Sequence, residues 1–379
     1  MSALLTVATL DLQDGVRLDL VPGLVRQIGR DVDVLVLQEG KGWDRDGQAR
    51  RFEAEELLRP LGLDRSFLTR STRGTLHELV FVRSSRLRPK QHWTPDLPDV
   101  FHDQVGWQHF RVQEPQEDEP QAGEPQEDEP QEDQAVPELA IQSAQWAHWS
   151  GDVRLDAAQK LTRYAAPGCW AIIAGDFNSL WPDCWRRRRF LPGWTRLHRE
   201  FEPDWSRRPP HKRLHKTLPP GARPPADLRR RLWAWWGGDR LGGRVVSDRR
   251  ALSVLAEAGF QSAGCLADDM TVTVNAHIDQ GQGGRIDHIV LSPALAAAVV
   301  PGSYGVAISE VGDQASDHRL VWVTLDLSRA LSPTASTRAD ISSGPSPRWW
   351  RSGSRHRSWL RATRWCRCST APTSCPTDP

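Results

Sequence analysis

The sequence predicts an α/β fold, and two observations predict it. Short apolar runs rich in β-branched residues alternate with stretches whose apolar residues recur at helical spacing. Several of the apolar runs end abruptly in polar and charged residues, which packing alone does not explain. A chain of 379 residues, 39% of them hydrophobic, is long enough for one large α/β domain or two ordinary ones.

Leu4 to Leu12 reads as a first buried strand, and Val16 to Ile28 as a helix. Val32 to Leu37 (VDVLVL) is a second buried strand, running into Gln38-Glu39-Gly40. Strand, helix and strand at this spacing imply a parallel pair with a crossover helix. Leu79 to Arg83, Gln108 to Val112 and Leu139 to Ala144 are further strands, the last followed by a helix over Asp152 to Tyr164. Trp170 to Ala174 is a strand that passes directly into Gly175-Asp176-Phe177-Asn178. A helix over Asp248 to Ala258 follows, then strands near Thr271 to Val274, Arg285 to Leu291 and Leu320 to Leu325.

Three segments stand outside this pattern. EPQEDEP occurs twice, from Glu114 and from Glu124, within an acidic low-complexity insert over 112–136. Charge, Pro and Gln without aromatics cannot bury enough surface to order a chain, so an enlarged hairpin loop is expected. Its simplest reading is a solvated insertion; the functional one is an acidic mimic that competes with phosphate. Residues 181–245 form a basic loop region with Trp181, Trp185, Trp194 and Trp205 interleaved. That region suits either a nucleic-acid backbone or a solvated face. The tail over 329–379 is rich in Ser, Arg and Trp without periodicity and is expected to be disordered. Residues 1–328 remain as the expected folded domain.

The net charge of +1 hides an acidic insert and a basic tail, and the body between them is mildly basic. That suits a phosphate-bearing substrate without singling out nucleic acid. The six cysteines are scattered without CxxC spacing, which favours a reducing compartment over a disulfide framework. The N-terminus reads as a strand rather than a signal peptide, and no apolar run reaches membrane-spanning length. A soluble, cytoplasmic chain is expected, with no membrane partner and a monomer as the default assembly.

Four motifs end or begin expected strands: Leu37-Gln38-Glu39-Gly40, Gly175-Asp176-Phe177-Asn178, Arg285-Ile286-Asp287-His288 and Ser316-Asp317-His318. Side chains converge at strand ends in α/β folds. A phosphodiester resists a nucleophile because its own oxygens repel it, and a hard divalent ion held by carboxylates neutralises that charge. Glu39 and Asp317 are suitable oxygen ligands. Asp176 is placed to take a proton from water, with Asn178 to orient the water or donate to phosphate. His318 can stabilise the transition state as a cation, with Asp287 behind it to fix its tautomer. Each has a plainer reading: Glu39 as a turn residue, Asp176 and Asn178 as turn formers, His318 as a core histidine, Asp287 as a partner of Arg285. His77, His211, His215 and His288 read as surface or loop residues.

The order LQE, GDFN, RID, SDH resembles the endonuclease/exonuclease/phosphatase superfamily, which includes exonuclease III-like and deoxyribonuclease I-like nucleases, sphingomyelinases and inositol phosphatases. The resemblance runs from about Leu4 to Leu327. It implies a four-layer α/β sandwich, two mixed β-sheets packed face to face with helices outside, and dependence on Mg2+ or Mn2+. It implies metal roles for Glu39 and Asp317, water or phosphate roles for Asp176 and Asn178, and a transition-state role for His318 supported by Asp287. Two positions depart from the pattern. Asp11 stands where the first strand usually ends in Asn, and can still ligate a cation. Gln145 stands where a catalytic His is common, with His148 three residues on. The expected function is metal-dependent hydrolysis of phosphate esters, with a nucleic-acid phosphodiester, DNA or RNA, as the first substrate. A small or lipid phosphate is the alternative, and a partner-binding pseudoenzyme the third reading.

Overall fold

The computed structural model describes residues 4–15, 17–71, 76–93, 106–113, 138–182, 184–187, 194–198, 208, 210–218, 246–274 and 283–330. The acidic repeats, most of the basic loop region and the tail beyond residue 330 lie outside the described residues.

Fourteen strands occur among the described residues: β1 (Leu4–Asp11), β2 (Val34–Lys41), β3 (Arg65–Thr69), β4 (Leu76–Val82), β5 (Leu87–Trp93), β6 (Trp107–Val112), β7 (Glu138–Gln145), β8 (Trp170–Asp176), β9 (Cys184–Arg187), β10 (Trp194–His198), β11 (Gln261–Ser262), β12 (Asp287–Leu291), β13 (Gly305–Val306) and β14 (Val321–Asp326). The helices are α1 (Val21–Gln27), α2 (Ala49–Leu58), α3 (Gly151–Leu161), α4 (Pro210–Lys216), α5 (Arg250–Glu257), α6 (Ala263–Leu266), α7 (Pro293–Ala296) and α8 (Glu310–Ala315). One six-stranded sheet runs β13-β14-β1-β2-β4-β3 and the other β11-β12-β8-β7-β6-β5; β9 and β10 form a separate hairpin.

Both sheets are mixed for the same reason. In each, one parallel pair is joined by a crossover helix, β1–β2 through α1 and β7–β8 through α3, and the remaining pairs are antiparallel. The inner faces meet in one apolar layer: Leu5, Val7, Val34, Val36 and Val80 from one sheet, Leu139, Ile141, Ile172 and Ile289 from the other. Alternate residues of the same strands point outward. Ala8, Leu10, Leu35 and Leu37 bury against Leu24, Val25 and Leu58 of α1 and α2. Ala171, Ile173 and Val290 bury against Ala158, Leu161, Leu252 and Leu255 of α3 and α5. Strands buried on both faces read as unbroken apolar runs, which is why VDVLVL and WAIIA are so continuous. The result is the expected four-layer sandwich, helix, sheet, sheet, helix.

Local chemistry sets where elements start and stop. Ser150 Oγ accepts from the Val153 N–H (3.3 Å) and Asp152 lies in the first turn, fixing the start of α3. Ser309 does the same for α8 through Gly312 N–H (3.1 Å). The expected strand over Thr271 to Val274 does not form. The Thr273 and Val274 N–H groups both turn to the Gly284 carbonyl (2.9 and 3.0 Å), and Val274 makes only an isolated bridge with His318. The second strand extends past its expected end because Glu39 takes a positive φ (+57°), making a bulge between Leu37 and Gly40 before pairing resumes at Gly40 and His77. No described helix is long and apolar enough to cross a membrane. Cys265 is disulfide-bonded, against the expectation of reduced thiols throughout, while Cys169 is free.

Candidate active site

The parallel strands deliver their C-terminal ends to one edge of the sandwich. Asp11 ends β1, Glu39 lies near the end of β2, Gln145 ends β7 and Asp176 ends β8. Antiparallel neighbours bring the rest. Asp287 opens β12 directly opposite Asp176, and His318 precedes β14, which pairs with β1. These residues converge because crossover connections put both parallel C-terminal ends on the same side. Gln38 ties the two sheets together beneath them, accepting from Thr9 Oγ1 (3.2 Å) and donating to Ser143 Oγ (3.1 Å).

The closest group is Asp11, Asp176 and His318: one ligand atom of each lies within 4.8 Å of the others, and all three residues are buried. His318 Nδ1 sits 2.9 Å from both carboxylate oxygens of Asp287, which leaves Nε2 for the cavity. Thr273 Oγ1 donates to Asp287 Oδ2 (2.5 Å), and Ser316 Oγ accepts from the His318 N–H (3.0 Å) and donates to the Asp11 carbonyl (2.6 Å). Asp176 accepts from the Asn178 N–H (2.7 Å) and from its Nδ2, which also donates to the Trp146 carbonyl (2.8 Å). Asn178 holds a positive φ (+48°) to make this turn.

Glu39 accepts from the Asp14 N–H (3.2 Å) and from Gln145 Nε2 (3.2 Å). The Gln145 N–H donates to Glu78 Oε1 (3.1 Å), so its side chain is held across the site. Asp317 is half-buried and lines the same cavity, of about 400 Å³, with Glu39, Gln145, His148, Asp176, Asn178 and His318. Arg208, Lys212, His215 and Lys216 line it as well.

Crowding of charge controls the titrations. Burial pushes Asp11 well above the usual carboxylate range against the pull of His318, and Glu39 and Asp176 push further. Burial raises Glu39, with the Asp14 N–H and His318 opposing and Asp317 adding. Asp176 is pushed up to about 7 by burial and Asp287, against His318 and Lys216. Burial disfavours the imidazolium of His318, but Asp287, Asp11 and Asp176 outweigh it and raise it well above its ordinary value. Burial lowers Lys216 to about 8. A hard cation would answer this excess of negative charge and would give a partner to Asp11 Oδ2, which is buried without a hydrogen bond. The donors are oxygens and an imidazole, with no thiolate among them, which suits Mg2+ or Mn2+.

The structure therefore brings all eight expected residues, Asp11, Glu39, Gln145, Asp176, Asn178, Asp287, Asp317 and His318, to one cavity or its immediate support. Glu39 and Asp317 stand outside the closest group, which holds Asp176 instead. Three histidines depart from the surface reading. His77 is buried, bonded to Asp44 Oδ1 (2.7 Å) and the Ser71 N–H (3.1 Å). His288 is buried against Ser179, Phe177 and Trp181. His215 lines the cavity; the side chain of His211 lies outside the described residues. Trp181 is a core residue rather than a base-stacking one. Thr273 and Lys216 were not legible: a Thr in a weak apolar run and a Lys in a long basic stretch carry no positional signal.

An α/β sandwich whose strand ends gather carboxylates and a carboxylate-backed imidazole defines a metal-assisted phosphoesterase. The chain belongs to the Endonuclease/Exonuclease/phosphatase family, whose sequence profile matches residues 11–318. Among solved structures it is similar to an AP endonuclease from Archaeoglobus fulgidus, at 15% identity and a TM-score of 0.50, covering 85% of this chain and 99% of that one. It is also similar to a 3'-5' exonuclease from Neisseria meningitidis (16%, 0.47, covering 85% and 100%) and to a mannosyl-6-phosphatase from Bacteroides thetaiotaomicron (15%, 0.44, covering 84% and 98%). At these identities the likeness is one of fold. No curated protein matches in sequence.

Proposed function

We propose that this chain uses Mg2+ or Mn2+ to hydrolyse phosphodiesters of nucleic acid. The observation that carries the metal reading is the crowding of the Asp11, Glu39 and Asp176 carboxylates, with the unpartnered Asp11 Oδ2 among them. Asp11, Glu39 and Asp317 would hold the ion, which when bound would neutralise phosphate charge and make water a better nucleophile. Asp176, oriented by Asn178, takes the proton from the attacking water. His318, kept protonated by Asp287, donates through Nε2 to a phosphate oxygen as negative charge builds there. Gln145, beside Asp176 on the neighbouring strand, donates an amide hydrogen to phosphate. Arg208, Lys212 and Lys216 beside the cavity support a polyanionic substrate. A small or lipid phosphate is the second reading, favoured by the cavity itself, which at about 400 Å³ fits one phosphorylated ligand. Monomeric assembly belongs to the same proposal. A cytoplasmic location belongs to it too, and thiol trapping in intact cells tests that point.

The test is a substrate panel of plasmid, abasic duplex, RNA and phosphorylated small molecules, with Mg2+, Mn2+ or EDTA. Turnover is expected with either metal and lost in EDTA; full turnover in EDTA would remove the metal mechanism. His318→Ala and Asp176→Asn should each lower kcat by roughly 10² or more with the fold intact. A variant with near-normal kcat would exclude that residue from the chemistry. A wild type that hydrolyses nothing would leave the pseudoenzyme.

A further inference from the structure

Helix α4 lies in the long segment between β8 and α5, outside both sheets, yet it is fastened at both ends. Before it, Arg208 Nη2 donates to the Gly283 carbonyl (2.9 Å). At its end, Arg154 Nη2 donates to the His215 carbonyl (2.9 Å), the Asp248 N–H donates to the Lys216 carbonyl (2.9 Å), and the Leu218 N–H to Val246 (3.0 Å). Arg154 is itself buried in α3 and bonded to the Ala147 carbonyl (2.7 Å). A short helix held this way presents a fixed face. Lys212 and Lys216, four residues apart and so on one face, both line the cavity.

Lys216 is the closer of the two to the chemistry. Its Nζ donates to Asn178 Oδ1, the far end of the amide that orients Asp176. An ammonium has three donors, and a neutral amide oxygen takes only one of them. The Asp176 and Asp287 carboxylates act on the ammonium as well, so it sits among the groups that would attend a phosphate. Gln145, paired with Asp176 on the adjacent strand, offers an uncharged amide already engaged with Glu39. Gln145 itself supplies no cation, and α4 supplies one.

We propose that Lys216 is a phosphate-binding catalytic residue, its ammonium gripping a non-bridging oxygen of the scissile phosphate and so providing from α4 the positive charge that Gln145 does not. The assignment rests on the phosphoesterase reading for its turnover consequences, but not for phosphate binding. It makes Lys212 and Lys216 of α4 part of the reaction site rather than a distant grip on nucleic acid.

The experiment uses the full chain with Lys216→Gln, Lys216→Met and Lys216→Arg, each checked by thermal melting. Inorganic phosphate is titrated by calorimetry with and without Mg2+, and Mn2+-dependent hydrolysis of bis(p-nitrophenyl) phosphate is measured alongside. The Gln and Met variants should bind phosphate at least tenfold more weakly and lose about 10² in kcat/KM, while Arg retains most of both. Adding Gln145→His to the Gln variant should restore at least tenfold of the lost rate by returning a cation to the site. Phosphate affinity equal to wild type in the folded Gln or Met variant overturns the assignment, as does an Arg variant that falls as far as Gln. If Gln does not fold, Met, which keeps the aliphatic stem, is read in the same way. If the wild type hydrolyses no ester, the phosphoesterase reading fails and the phosphate titration still decides Lys216.

Discussion

Raising the pH of the metal-free protein should destabilise it, and Asp176 should account for a measurable share. Its carboxyl titrates near 7 in the fold, whereas an unfolded chain returns it to about 4. The folded state therefore holds this proton more tightly than the unfolded state. Stability from this group is highest at low pH and is lost as pH climbs from about 4 through 7. Linkage between those two values gives a cost of about 1.5 kcal/mol at pH 5 and about 4 kcal/mol at pH 8, a difference of about 2–3 kcal/mol. His318 adds in the same direction: held above its ordinary value, its stabilisation is full below about 6.5 and fades as pH rises through its folded value. The assay is thermal unfolding in EDTA from pH 5 to pH 8, for wild type and Asp176→Asn. The wild type should lose roughly 5 °C more than the variant over that range. Mg2+ at pH 8 should raise the wild-type Tm, because an ion in the site relieves the same crowding of carboxylates. Parallel pH profiles for the two proteins would refute the claim that buried charge at Asp176 is held against its own solvation.

Gly175→Ala should destabilise by at least about 2–3 kcal/mol or prevent folding, because Gly175 sits at φ +145° and a Cβ there would come within 2.1 Å of the Ala144 carbonyl oxygen; denaturant melts measure it. Gln38→Leu should cost about 1–3 kcal/mol in the same measurement, since it strands Thr9 Oγ1 and Ser143 Oγ between the sheets. Gln145→His should raise kcat on the best substrate or leave it within about tenfold; a larger fall would show that the Gln145–Glu39 bond is needed as it stands.

What could be read from the sequence follows the physics of each element. Strands buried on both faces leave an unmistakable apolar run, so β1, β2, β7, β8, β12 and β14 were legible with ends near their true places. A polar residue after such a run has no packing reason to be there, and that contrast exposed Glu39 and Asp176, whereas Asp11 stood out only through the family resemblance. Helix α2 was not legible: in ARRFEAEELL only Ala54 and Leu58 are buried, so charge hides its core face. His77 was misread for the opposite reason. It lies within β4, where both faces are covered, and the Asp44 carboxylate and Ser71 N–H satisfy it there.

The site's least legible parts are those set by long-range geometry. Nothing in the local sequence says that Glu39 will bulge at φ +57°, because the bulge answers the pairing with β4 and the need to aim a carboxylate between two sheets. Nothing in RPPHKRLHK separates Lys216 from the other cations of that stretch either. The separation comes from Arg154 in α3 and Asp248 ahead of α5, which fix the last turn of α4 above Asn178. A motif therefore reports a residue whose neighbours in the chain already place it. A side chain placed by contacts 38 residues away, as Lys216 is on Asn178, becomes a candidate only when the fold is in view. The neutral Gln145 gave the complementary hint, since it brings no positive charge to the strand end it shares with Asp176. The fastening of α4 over the cavity is where this chain draws it.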